Sequence, residues 1–197
     1  MTLIGLGGRL RAGKDAVADR LVERHGFVKI GMSDPLREHL RILNPWIKVR
    51  LREALRLRIR PGFHRAADLL ERLGYVDAKT IRDLREFMQR DGTDGGRNFF
   101  GENIWVDKAR AWITEELEQG EWVVVTGLRF LNEVWMVNDL DGNTAWVHRP
   151  GLAAPSGDAA SHASENSVGP ADFDQVIDNA GTLSDLFAKA DELAAAA

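Results

Sequence analysis

Residues 2–15, TLIGLGGRLRAGKD, decide the reading of this chain. Thr2 to Leu6 is an apolar, β-branched run, and glycines stand at 5, 7 and 8, so the segment predicts a buried strand leading into a glycine-rich turn. Beyond it, Ala16, Val17, Leu21 and Val22 recur at helical spacing between charges, with Gly26 as a C-terminal stop. The order is strand, loop, helix. Gly8 to Asp15 fits the pattern GxxxxGK of a phosphate-binding loop, and it sits where the mechanism requires it. Glycines at 8 and 13 let successive main-chain N–H groups turn inward around phosphate oxygens, while Ala12 and Ala16 flank the bend. The helix N-terminus adds partial positive charge, Lys14 can reach the β and γ phosphates, and Arg9 and Arg11 extend the cationic reach. The residue after the lysine is Asp15, where the common motif has Ser or Thr as a magnesium ligand. A carboxylate there either binds magnesium, directly or through water, or stabilises the start of the helix.

Working outward, Phe27 to Ile30 predicts a second strand, and Ser33 or Asp34 followed by Pro35 marks a helix running to about Leu43. Ile47 to Arg60, IKVRLREALRLRIR, alternates apolar and basic residues like a two-stranded ribbon with an arginine face. Ile47, Leu51, Leu55 and Ile59 also fall at helical spacing, so both readings stay open. Helical spacing returns at Ala66–Leu73, Thr80–Arg90 and Trp105–Leu117. Trp122 to Thr126, WVVVT, is the clearest central strand, a continuous β-branched run bounded by Gly120 and Gly127. A helix over Leu131–Leu140, strands at Thr144–His148 and Gln175–Ile177, and a closing helix over Leu183–Leu193 complete an alternating α/β order.

The 197 residues predict one domain carrying an insertion or lid, and 44% hydrophobic with 28% charged residues is the make-up of a folded globular chain. The absence of cysteine excludes disulfides, thiolate metal sites and cysteine nucleophiles. No apolar run approaches the roughly 18 residues of a membrane span, and the N-terminal residues lack a basic region followed by an apolar one, so an intracellular, soluble protein is expected. The net charge of −4 argues against a nucleic-acid binder. Charge is unevenly spread: Arg37 to Arg72 holds ten Lys and Arg against four Asp and Glu, whereas residues 151–197 hold eight acids and one lysine. Between Pro150 and Pro170 the composition shifts to Ala, Ser, Gly, Pro and Asp, as in a loop. His162, Ser164 and Glu165 lie there without the spacing of a hydrolase triad, and the five histidines show no zinc pattern.

Beyond the GKD ending, four later segments stand in order along nearly the whole chain. They are SDPLRE at 33–38, QRDGTDGGR at 89–97 with GENIWVDKA at 101–109, VVVTGLRFLNE at 123–133, and HRPG at 148–151 followed by SHASE at 161–165. Together they resemble the bacteriophage deoxynucleoside monophosphate kinases, within the P-loop nucleoside monophosphate kinase group. The resemblance implies a three-layer P-loop NTPase fold with a five-stranded parallel sheet flanked by helices, an acceptor-binding insertion at 31–104 and a lid at 150–170. It implies the reaction ATP + dNMP → ADP + dNDP with magnesium, in a host cytoplasm, with no membrane or nucleic-acid partner; a homodimer stays open.

The same resemblance assigns roles. Lys14, Arg11 and Arg129 would serve phosphoryl transfer. Arg149, after a strand, would flank ATP. Asp34, Arg37, Gln89, Gly92, Thr93 and Arg97 would hold the monophosphate, Arg97 through paired hydrogen bonds to its phosphate. For Asp34 a helix cap competes with base recognition, and for Trp105 core packing competes with stacking on the base. Many relatives carry an Asp where this chain has Gly127, a lysine where it has Leu10, and a Thr where it has Ala16. Magnesium then falls to Asp15 or to waters. Rival readings are a P-loop kinase for another phosphorylated acceptor, such as dephospho-coenzyme A or phosphomevalonate, and an ATP-binding switch without transfer.

Overall fold

Alternation inside the first strand gives the molecule its layers. In β1 (Leu3–Gly8), Leu3 faces one hydrophobic cluster, while Ile4 and Leu6 face another. A strand buried on both faces suits the centre of a parallel sheet. The computed structural model, which describes residues 2–152 and 167–196, places β1 at that position. The sheet also contains β2 (Val28–Gly31), β5 (Val123–Leu128), β6 (Asn143–His148) and β7 (Gln175–Asp178). Its order is β2-β5-β1-β6-β7 and every pairing is parallel, so the expected five-stranded parallel sheet is present. Because β1 lies between β5 and β6, the strand order reverses at its carboxyl end, where open α/β sheets bind ligands.

Helices cover both faces. Against one lie α7 (Ile104–Glu118) and α8 (Leu131–Asp139), whose Val106, Ala109, Ile113, Val134 and Met136 pack on Leu3, Val123 and Val125. Against the other lie α1 (Lys14–His25) and α9 (Leu183–Ala196), which bring Val17, Leu21, Leu186, Ala190 and Leu193 onto Ile4, Leu6 and Val124. The helix α1 ends on Gly26 in the left-handed conformation, as its sequence predicts. A bidentate Arg20–Asp191 contact at 2.9 and 2.7 Å joins α1 to α9, and His25 Nε2 lies 2.8 Å from the same carboxylate.

The chain divides into two compact units, residues 1–32 with 106–197, and Ser33–Trp105. The second has its own core, built from Leu40, Ile47, Leu69, Ile81, Leu84 and Met88 among others. It contains α2 (Asp34–Leu43), β3 (Trp46–Val49), α3 (Leu51–Leu57), β4 (Gly62–Arg65), α4 (Ala66–Ala78), α5 (Arg82–Arg90) and the short α6 (Asn98–Phe100). Neither expectation for Ile47–Arg60 holds along its length. The first arm is β3, but its antiparallel partner is β4, beyond the segment. Between them the chain turns helical because Glu53 accepts the Arg50 N–H at 2.8 Å and closes the first turn of α3. The other Glu53 oxygen accepts the Arg82 N–H at 2.8 Å, so one carboxylate serves the starts of two helices. Arg58, at φ 55°, ends α3.

Most of the expected lid, including His162, Ser164 and Glu165, lies outside the described residues. Among the described residues, no helix is long and apolar enough to cross a membrane.

Candidate active site

The bend from β1 into α1 has the conformation its glycines permit. Gly8 and Gly13 sit at φ 144° and 106°, and Arg11 at φ 65° is a non-glycine residue held in the left-handed region. Gly13 is the N-cap of α1 and no side chain caps that helix start, which leaves its first turn suited to an anion. The bend is braced from two sides. The Ala12 N–H donates to the Arg9 carbonyl at 3.1 Å, and the Asn179 side-chain amide donates to the Ala12 carbonyl at 2.8 Å. Asn179 is itself fixed by its main-chain N–H, which donates to the His148 carbonyl at 2.6 Å.

Beside the bend is a recess whose lining includes Gly8, Arg9, Lys14, Leu128, Arg129 and Trp146. Three cationic residues therefore line it, drawn from the bend, the start of α1 and the position after β5. Lys14 is only 8% exposed, which is unusual for lysine and places its ammonium where a bound anion would be poorly screened by water. Among the described residues, no carboxylate pairs with the guanidinium of Arg9 or Arg129. Asp15 is exposed on the first turn of α1, Ala16 is half-buried against the α1–α9 layer, and Arg11 and Arg149 are exposed. Positive charge concentrated beside a helix start that no side chain caps suits an anionic ligand.

Gly127 has a structural reason to be glycine. Leu6 pairs with Thr126 and Gly7 with Leu128, so Gly127 is the extra residue of a bulge, at φ 81°. The bulge precedes Arg129, whose N–H donates to Glu133 Oε2 at 2.7 Å, with the Phe130 N–H at 3.2 Å from the same oxygen.

The unit Ser33–Trp105 holds the residues expected on the acceptor side. Asp34 opens α2 and forms an ion pair with Arg37 one turn on. The Arg37 guanidinium lies over the Tyr75 ring, 4.6 Å from its centroid. Gln89 is exposed near the end of α5, and a wide π-helical turn, Asp91–Arg97, follows directly. Such turns are rare and recur at functional sites. Within it Gly92 is buried, Thr93 exposed and Arg97 half-buried. Trp105 braces this turn: its indole N–H donates to the Gly92 carbonyl at 2.8 Å, and a Cβ at Gly96 would come within 2.6 Å of that nitrogen. The His39 ring tilts against the indole with centroids 5.6 Å apart, and His39 Nε2 lies 3.5 Å from Asp91.

Sequence reasoning overlooked Glu133, Asn179, His39 and Asp91. Glu133 had a signal, since a Glu in the first turn of a helix is placed to accept main-chain N–H groups. Asn179 had none, because its partner lies 167 residues away.

The strand order, with a glycine bend between a central strand and its helix, defines a P-loop NTPase fold. The chain belongs to the deoxynucleotide monophosphate kinase family, whose model matches residues 74–190, more than half of its length. That match begins after the P-loop, so the two observations are independent. A protein of Acanthamoeba polyphaga mimivirus named "Putative deoxynucleotide monophosphate kinase" is 25% identical over 156 residues, 78% of this chain and 77% of that protein. Among solved structures, TT1252 from Thermus thermophilus superposes with a TM-score of 0.55 at 19% identity, covering 99% of this chain and 97% of its own. A dephospho-CoA kinase from Campylobacter jejuni gives a TM-score of 0.47 at 16% identity, covering 98% and 95%.

Proposed function

We propose that this protein transfers the γ-phosphoryl group of ATP to a deoxynucleoside 5′-monophosphate, giving ADP and the deoxynucleoside diphosphate. The observation that carries the reading is the convergence of Lys14, Arg9 and Arg129 on one recess at the P-loop, in a chain of this family. An oxygen of the acceptor phosphate attacks the γ-phosphorus, the bond from that phosphorus to the β–γ bridging oxygen breaks, and ADP leaves with the electron pair. The attacking oxygen is already anionic, so no strong general base is required. What the protein must supply is alignment and neutralisation of charge. Lys14, Arg11 and Arg129 do this at the triphosphate, with Gly8, Arg9, Ala12, Gly13 and Ala16 shaping the bend and Arg149 flanking the donor. Asp34, Arg37, Gln89, Gly92, Thr93 and Arg97 receive the monophosphate. Trp105 holds the turn that contains three of them.

Magnesium is commonly held by one or two carboxylates together with substrate phosphates and water. Asp15, exposed and next to Lys14 in the chain, fits that role. The ion would offset the charge of the transferring phosphoryl group. The resemblance of the motif order to phage enzymes supports a role in viral nucleotide supply in a host cytoplasm. Turnover of dNMPs, with none of dephospho-coenzyme A or phosphomevalonate, is the expected result of a coupled ADP-release assay. Release of ADP with either alternative acceptor alone would refute the proposal.

A further inference from the structure

Among the described residues, two charged side chains are buried: Lys14 at 8% exposure and Glu133 at 4%. Lys14 lines the P-loop recess, whereas Glu133 lies in the first turn of α8, hydrogen-bonded to the backbone of Arg129, which lines it. A carboxylate taken out of water is costly unless hydrogen bonds replace its hydration. Here Oε2 accepts the N–H groups of Arg129 at 2.7 Å and Phe130 at 3.2 Å, and the helix N-terminus favours the negative charge. The contact falls where fixation matters. Gly127 has just broken the regular course of β5 with a bulge, so strand pairing no longer dictates where residue 129 points.

We infer that Glu133 is a positioning residue that fixes the backbone of Arg129 and so directs its guanidinium into the P-loop recess. Burial in the first turn of α8 is more than capping requires, since the N3 position of a capping box is filled by neutral Gln as well as by Glu and needs no buried charge. The inference rests on the phosphoryl-transfer reading only for the use made of Arg129.

A double-mutant cycle tests it, with Arg129→Ala, Glu133→Ala and the double variant, read on kcat/KM for phosphoryl transfer and on ATP affinity. Glu133→Ala is expected to lower kcat/KM or ATP affinity about 10- to 100-fold, in the same quantity that Arg129→Ala lowers. The double variant should be no worse than Arg129→Ala alone. Glu133→Gln keeps the shape and one acceptor oxygen, and should recover most of the loss, which also covers the case in which Glu133→Ala fails to fold. Losses that multiply would overturn the inference. So would a fall in Tm with unchanged kinetics and affinity, or an Arg129→Ala variant indistinguishable from the parent. If the parent chain binds ATP but turns over no dNMP, it is the functional reading that fails, and the cycle on ATP affinity still decides the role of Glu133.

Discussion

The side-chain amide of Asn179 donates to the carbonyl oxygen of Ala12 at 2.8 Å, tying the connection after β7 to the P-loop. A Cβ on Gly13 would lie 2.6 Å from that same amide nitrogen. The bend is thus held by a hydrogen bond on one side and closed to bulk on the other. Asn179→Ala should cost about 1 kcal/mol of stability and leave the Ala12 carbonyl short of a donor. ATP should bind more weakly, by severalfold. Gly13→Ala should do worse on both measures, because it adds left-handed strain to the collision. Urea denaturation and calorimetric ATP titration measure the two effects.

Gly127 bears on the metal. An aspartate there would place a side chain at φ 81° on a bulge. Gly127→Asp should destabilise the fold by about 1–2 kcal/mol without raising magnesium affinity. Asp15→Ala, in contrast, should raise the magnesium concentration needed for half-maximal turnover while leaving Tm nearly unchanged. Thermal melts and magnesium titrations of the two variants separate these roles.

Trp105 holds the Asp91–Arg97 turn, proposed to receive the dNMP, through its N–H. Trp105→Phe keeps a ring but removes the bond to the Gly92 carbonyl, at a cost of about 1 kcal/mol. The KM for the dNMP should rise severalfold and that for ATP should stay within twofold. Equal changes in both would show that the ring serves general stability and not the turn.

Acid should loosen the layer formed by α1 and α9. The Arg20 guanidinium, and then His25, hold the Asp191 carboxyl well below the ordinary carboxylate range. A carboxyl depressed in the folded state contributes stability above its unfolded pKa, near 4, and that contribution is lost as the pH falls through the folded value. Asp191→Asn should therefore be less stable than the parent at neutral pH, and the gap should close progressively below about pH 4. Parallel urea titrations across that range check it.

What the sequence disclosed, and what it hid, follows from how local each signal is. Strand β1, its glycine bend and α1 were legible because strand burial, backbone freedom and helix periodicity are all encoded within one short stretch. Strand β5 was legible because Val123, Val124 and Val125 form a β-branched run that suits a strand buried on both faces, although Trp122, expected within it, lies just before it and is exposed. Ile47–Arg60 was not, since its alternation fits β3 while Glu53, by accepting one main-chain N–H, turns the rest into α3. Asn179 and the packing of Trp105 on Gly96 depend on where other segments arrive, and periodicity carries nothing of that, whereas Glu133, three and four residues from its partners, left a local signal in the first turn of α8.

The most direct test follows the phosphorus. With ATP labelled at the γ position and each dNMP in turn, the label should appear as the terminal phosphate of a deoxynucleoside diphosphate. Lys14→Ala, still folded by circular dichroism, should transfer none. Label recovered only as inorganic phosphate, or transfer that survives the loss of Lys14, would contradict the account.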